Sequence, residues 1–177
     1  PLTRGDRAGR VQLQEGVGYV QLHPQSRHHV GRGGQRQQEI VELYEMRIVL
    51  EATAAQMAAK HASKAEIHTL KTLNAQMMQV ATDPYKVAML NRKFHGCILS
   101  AARNRFLAQS HNSLSHALVL LGKTTLESSE RVKDVVSQHD AIVEALKSGQ
   151  PETAAKLMRK HMEASLEHRL KALQLDG

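Results

Sequence analysis

The sequence has few aromatic residues, one cysteine and no long apolar run, and each shortage excludes something. Only 3% of the 177 residues are aromatic and none is tryptophan, which disfavours sheets because aromatic residues are enriched in strands. The lone Cys97 excludes an internal disulfide and fits a reducing compartment. A run of about 18 apolar residues, which a membrane span needs, is absent, as is the apolar stretch of a signal peptide. We therefore expect a cytoplasmic protein without a membrane partner.

Helix-forming residues and an uneven charge are what the sequence has instead. Hydrophobic residues make up 41% of the chain, enough to close one core, and Ala, Leu, Met, Lys, Glu and Gln are abundant. Of the formal net charge of +7, residues 1–37 carry +4, from six arginines against Asp6 and Glu15. The composition predicts an all-α domain preceded by a basic segment.

The chain divides near residue 37. Residues 1–37 hold seven of the eleven glycines without helical periodicity, and we interpret them as an irregular linker or the remnant of another domain. Residues 38–177 show apolar residues at helical spacing, which is typical of one helical domain. The pattern predicts six helices with short connections, packed as an antiparallel bundle, at about 38–61, 63–78, 84–101, 105–126, 129–147 and 151–172.

Local signals mark several helix ends. Ser63 with Glu66 three positions later predicts a capping box. Asp83 is a favoured N-cap, and the following Pro84 suits the first helical position. Gly149 predicts the end of the fifth helix. The bounds at Ser63 and Asp83-Pro84 are therefore well defined by the sequence.

Three of the eleven histidines interrupt apolar stripes. His95, His139 and His161 lie near the midpoints of the third, fifth and sixth predicted helices, and helix midpoints share one layer in an antiparallel bundle. Asn91 precedes His95 by one turn, so its amide oxygen faces the same side. Imidazole nitrogen binds Zn, Ni, Cu or Fe, and three histidines with one oxygen leave coordination positions open. The pattern predicts a shared metal site.

Residue spacing alone leaves alternatives open. Each of the three histidines could instead be a core residue whose ring bonds a backbone carbonyl. Arg47 is either a surface side chain or a guanidinium that faces the pocket and clamps a carboxylate. Among the remaining histidines, those with no partner at helical spacing are not assigned to a site: His61, His68, His111 and His116.

Several sequence blocks together resemble a known family. They are Glu42 to Glu51, Asn91 to His95, Ala101 to Asn104, His139 to Ile142 with Ala145 and Gly149, and Ala154-Ala155 followed by Met158 and His161. Their order and spacing, over about residues 38–172, resemble the effector-binding (FCD) domain of the FadR branch of GntR-type transcriptional regulators.

The resemblance implies a six-helix bundle that binds a divalent metal, such as Zn or Ni, with a small organic acid beside it. It maps the metal ligands onto Asn91, His95, His139 and His161, and an effector contact onto Arg47. It also implies a homodimer that binds DNA through an N-terminal winged helix-turn-helix, which is largely absent from this chain. The family more often has Asp where Asn91 stands, so we expect weaker metal binding and partial occupancy.

Two other functions would also be compatible with a helical bundle that has buried histidines. A metal-dependent enzyme would fit an open three-histidine site, but the sequence has no His-Glu-x-x-His or Glu-x-x-His motif and no obvious carboxylate beside the three histidines. We therefore expect no catalytic residues. A metal-free helical interaction module predicts no bound metal and no effect of chelators on stability.

Overall fold

The structure, a computed structural model, describes residues 32–120 and 124–175. The fold is all α, and the predicted antiparallel bundle is confirmed. No strand occurs within these ranges. The predicted irregular character of residues 1–31 lies outside the described residues. The helices are α1 (Arg32–His61), α2 (Lys64–Gln79), α3 (Pro84–Ala101), α4 (Arg105–Leu120), α5 (Ser129–Lys147) and α6 (Pro151–Leu175).

The predicted helix starts form as their capping residues require. The hydroxyl of Ser63 accepts a hydrogen bond from the Glu66 N–H at 3.2 Å, and the Glu66 carboxylate accepts one from the Ser63 N–H at 2.9 Å. Asp83 accepts from the Lys86 N–H at 3.1 Å, and Pro84 opens α3. These bonds satisfy backbone donors that a helix start leaves unpaired.

Residues with positive φ end α3 and α5. Gly149 has a φ of 61°, its N–H donates to the Leu146 carbonyl, and the N–H of Gln150 donates to the Ala145 carbonyl. This pair of bonds is a Schellman motif, in which glycine avoids the steric cost of the left-handed conformation. Arg103 ends α3 with a φ of 56° although it carries a side chain.

Helix α1 packs against four of the other helices. It packs most extensively along α6 and also contacts α3, α4 and α5, whereas α2 packs against α3 and α5. Ala54, Ala55 and Ala58 on α1 and Ala154 on α6 are fully buried. Because the distance between packed helices depends on the side chains at the contact, these small residues let α1 approach its neighbours closely. The arrangement brings α1, α3, α5 and α6 around one interior region.

Two predicted helix bounds were wrong. Helix α1 begins at Arg32 rather than Gln38, because the two glycines at 33 and 34 weaken the periodic signal while an existing helix gains one hydrogen bond for each added residue. Residues 124–128 are not helical, although α4 was expected to reach Leu126. There the Leu126 N–H donates to the Thr124 hydroxyl at 3.2 Å, and the Ser128 side chain caps α5. Among the helices of the described ranges, none is long and apolar enough to cross a membrane.

Candidate metal centre and effector cavity

The three histidines singled out by the sequence meet in the interior. His95, His139 and His161 are all buried, and one ring nitrogen of each lies within 4.8 Å of the others. Their ring centroids are 4.8–5.4 Å apart. The Nε2 atoms of His95 and His161 are separated by 3.3 Å. Three potential metal ligands from three helices therefore surround one point.

Phe94 fixes the ring of His139. The two rings stack at a centroid distance of 3.8 Å and an interplanar angle of 5°. Both side chains are fully buried, so the imidazole has little room to rotate. Phe94 of α3 thus positions His139 of α5.

A side-chain amide holds the outer nitrogen of His139. Its Nδ1 lies 3.1 Å from Oδ1 of Asn74. Nδ2 of Asn74 donates to the Val136 carbonyl at 2.9 Å and to the Asp140 carboxylate at 2.7 Å, so the amide oxygen must face the histidine. His139 therefore carries its proton on Nδ1, and its Nε2 lone pair points inward.

The other two histidines are held in the same way. Nδ1 of His161 lies 2.8 Å from the Gln138 side-chain oxygen, and Nδ1 of His95 contacts the carboxylate of Glu51. Oxygen acceptors at Nδ1 fix the tautomer and orientation of a metal-binding histidine and raise its basicity. All three rings thus have an oxygen partner on the outer side.

Glu51 is the centre of a buried ionic network. Its side chain is 2% exposed, and one oxygen lies 2.7 Å from Arg47 Nη2 and 3.2 Å from His111 Nε2, while the other contacts His95. Burial alone would raise the pKa of this carboxyl. The neighbouring His95 and Arg47, with the hydrogen bonds from His111 and His95, outweigh burial and hold the pKa of Glu51 well below its usual range. Glu51 is therefore an anion.

Burial keeps His139 and His161 neutral. It lowers the pKa of His161 to about 3, helped by the neighbouring His95, and it lowers the pKa of His139 well below the usual value, helped by His161 and His95. Neutral imidazole is the form that binds metal. Nε2 of His139 and Oδ1 of Asn91 are buried and have no hydrogen-bond partner among the described residues. Such orphaned acceptors would fit a bound cation.

A cavity of about 500 Å³ opens on this cluster. Asn91, His95 and His161 line its inner end, and Arg47 lines it from α1. His139 and Glu51 do not line the cavity. Glu51 instead contacts the wall residue His95. The volume is large enough for a small organic molecule beside a metal.

The structure also brings in residues that sequence reasoning missed. The expectation of no carboxylate beside the three histidines is wrong, because Glu51 contacts His95. Glu51 lies on the buried stripe of α1, and that position was an available signal. His111 was left unassigned but is buried against Glu51, and it follows Leu107 by one helical turn. Gln138 carried no signal, since its role depends on α6 lying opposite α5.

Comparison with known proteins identifies the class. The profile of the FCD domain matches residues 42–164, and the chain belongs to the FCD domain family. It is 25% identical over 136 residues to an "uncharacterized HTH-type transcriptional regulator YdhC" of Bacillus subtilis. It is 29% identical over 147 residues to a "probable D-xylose utilization operon transcriptional repressor" of Paenarthrobacter nicotinovorans. The resemblance inferred from the sequence blocks is confirmed.

The fold also matches a solved structure. The similarity to E. coli McbR/YncC has a TM-score of 0.68 at 17% identity and covers 76% of this chain and 66% of that one. The matches to the B. subtilis and P. nicotinovorans proteins cover 73% and 80% of this chain. The chain spans 59% and 64% of the length of these two relatives.

Proposed function

We propose that this chain is the effector-sensing domain of a GntR-type transcriptional regulator, with a divalent metal such as Zn or Ni held by His95, His139, His161 and Asn91. One observation carries the proposal. Each histidine has an oxygen acceptor at Nδ1 and so directs its Nε2 lone pair towards the other two. A histidine with only a structural role needs one hydrogen-bond partner. Such a role does not explain why the second ring nitrogen of each histidine lies close to those of the other two.

The short distance between two acceptor nitrogens supports a cation between them. Nε2 of His95 and Nε2 of His161 lie 3.3 Å apart, and two lone pairs facing each other repel unless a cation intervenes. Two nitrogens bound to one tetrahedral zinc at about 2.0–2.1 Å are separated by about 3.3 Å. His139 and the buried oxygen of Asn91 would complete the ligand set.

A small organic acid is the proposed effector. A bound metal would supply a Lewis-acidic cation at the inner end of the cavity, and Arg47 adds a guanidinium in the wall. One nitrogen of Arg47 is used by Glu51, but its Nε has no hydrogen-bond partner among the described residues. A guanidinium has five donors, so Arg47 can hold Glu51 and a ligand carboxylate together.

Sensing fits the site better than catalysis. The relatives are described as regulators, and Glu51 is outside the cavity wall and already bonded to Arg47, His95 and His111. It therefore has no access to a bound molecule as a general base. In the intact regulator, we propose a homodimer in the cytoplasm whose winged helix-turn-helix domains bind DNA, with the acid shifting the bundle and the spacing of those domains.

Stepwise stabilisation tests the proposal. Melting of the chelator-treated chain is measured with added zinc, and then with lactate, succinate, gluconate and benzoate. We expect zinc to raise the melting temperature and at least one acid to raise it further, because a ligand that binds only the folded state stabilises it. The intact regulator should change its operator affinity with the same acid. An acid that binds without altering operator affinity would rule out the sensor role, and no response to zinc would rule out the metal site.

A further inference from the structure

The cavity continues well beyond the three histidines along α6. His161, Ser165 and Arg169 all line it, and their spacing of four residues places them on one face of the helix. Eight residues of α-helix rise by about 12 Å. The cavity therefore has an inner end at His161 and a far end at Arg169, and a ligand that touches only the inner end would leave the rest unfilled.

A second arginine stands behind this far end. Arg131 on α5 is 5% exposed, and its Nη2 lies 3.5 Å from the Ser165 hydroxyl, which itself donates to the His161 carbonyl at 3.0 Å. Nε of Arg131 is buried and has no hydrogen-bond partner among the described residues. A buried guanidinium with so little pairing leaves a positive field that an anion would balance.

Acidic side chains near the far end do not cancel this charge. Glu127 lines the cavity from the segment before α5. Asp134, on α5, has an electrostatic interaction with Arg131. Both carboxylates are exposed, so water screens them. The far end therefore keeps the positive field of Arg131, and the guanidinium of Arg169, which has five donors, can bind an anion beside the contact that it already makes.

We infer that the far end of the cavity, formed by Ser165 and Arg169 and backed by Arg131, is a second anion-binding pole, so the effector is an extended dianion. One carboxylate lies at the metal end, and a second carboxylate or a phosphate lies at Arg169. This inference rests on the proposed function. It narrows the effector class, because acids with a single charge, whether aliphatic or aromatic, leave the second pole empty.

Matched ligand pairs on the zinc-loaded chain test the second pole. Isothermal titration calorimetry compares adipate with caproate, glutarate with valerate, and 3-phosphoglycerate with glycerate; each pair differs in the second anion. We expect the member of at least one pair that carries the second anionic group to bind about tenfold or more tightly than its partner, as a charged hydrogen bond predicts. A preference within the adipate or glutarate pair identifies a carboxylate at Arg169, and one within the phosphoglycerate pair identifies a phosphate.

Arg169→Gln should abolish that preference while monoanion affinity and zinc content stay unchanged. The control is Arg159→Gln, which removes the same charge from an exposed position of α6 outside the cavity and should preserve the preference. If monoanions bind as tightly as dianions, or Arg169→Gln and Arg159→Gln weaken both ligands equally, the second pole is refuted while the sensor proposal stands. If no acid binds to the zinc-loaded chain, the sensor proposal itself fails.

Discussion

Replacing Glu51 with glutamine should destabilise the domain far more than its small change in shape suggests. The carboxylate of Glu51 contacts Arg47, His95 and His111 inside the bundle. An amide has one acceptor oxygen and presents an NH2 group to the remaining donors, and it leaves the nearly buried Arg47 without its counter-charge. Removing one partner of a buried ion pair costs about 3–5 kcal/mol. For a domain of this size that corresponds to a drop in melting temperature of roughly 6–20 °C.

Urea denaturation of the chelator-treated protein measures this loss. The control is Glu144→Gln, which removes an exposed carboxylate that pairs with Lys71 and Lys147 and should change stability little. Adding Arg47→Met to Glu51→Gln removes both buried charges, and the double variant should be less destabilised than the sum of the single variants. A Glu51→Gln variant within about 0.5 kcal/mol of wild type would refute the buried network as described.

Three further outcomes are expected. Because the pKa of His161 is about 3 when folded and ordinary when unfolded, the metal-free protein should keep its stability above pH 6.5 and lose it as pH falls towards 3. His161 alone contributes up to about 1.4 kcal/mol per pH unit, and His139, whose pKa is also lowered, adds to the loss; urea midpoints flat across this range would contradict both shifts. Gln138→Ala should weaken zinc affinity about 10–100-fold in a competition assay; unchanged affinity would show that the Nδ1 bond is unimportant. Gly149→Ala should destabilise the domain by about 1 kcal/mol, because residue 149 has a positive φ. Gly96→Ala should stabilise the domain by about 0.5–1 kcal/mol, because Gly96 lies in the middle of a helix with open space around it. Equal effects of the two substitutions in thermal melts would refute this contrast.

Features encoded by neighbouring residues were predictable from the sequence. The capping box at Ser63, the Asp83–Pro84 start and the Gly149 stop each depend on bonds within a few residues, and the structure has them. The meeting of three histidines was also predictable, because midpoints of antiparallel helices share a layer whatever the details of packing. These predictions needed periodicity and local chemistry only.

Features that depend on which helix faces which were not predictable. Glu51 contacts His95 because α1 crosses α3 at that height, and Gln138 reaches His161 because α5 packs on α6. Periodicity shows that a residue points inward but not what it meets there. The second arginine of the far pole, Arg131, was missed for the same reason, since a charged residue at the start of a helix is usually a solvated one.

The central claim is that three buried histidines bind one metal ion, and elemental analysis of zinc-loaded, dialysed protein tests it most directly. The samples are the wild-type chain, His139→Ala, His161→Ala and the control His68→Ala, which removes an exposed histidine of α2. We predict about one zinc per chain in the wild type and in His68→Ala, with strong loss in the other two variants. Equal zinc content in all four proteins, or none in the wild type, would contradict the claim.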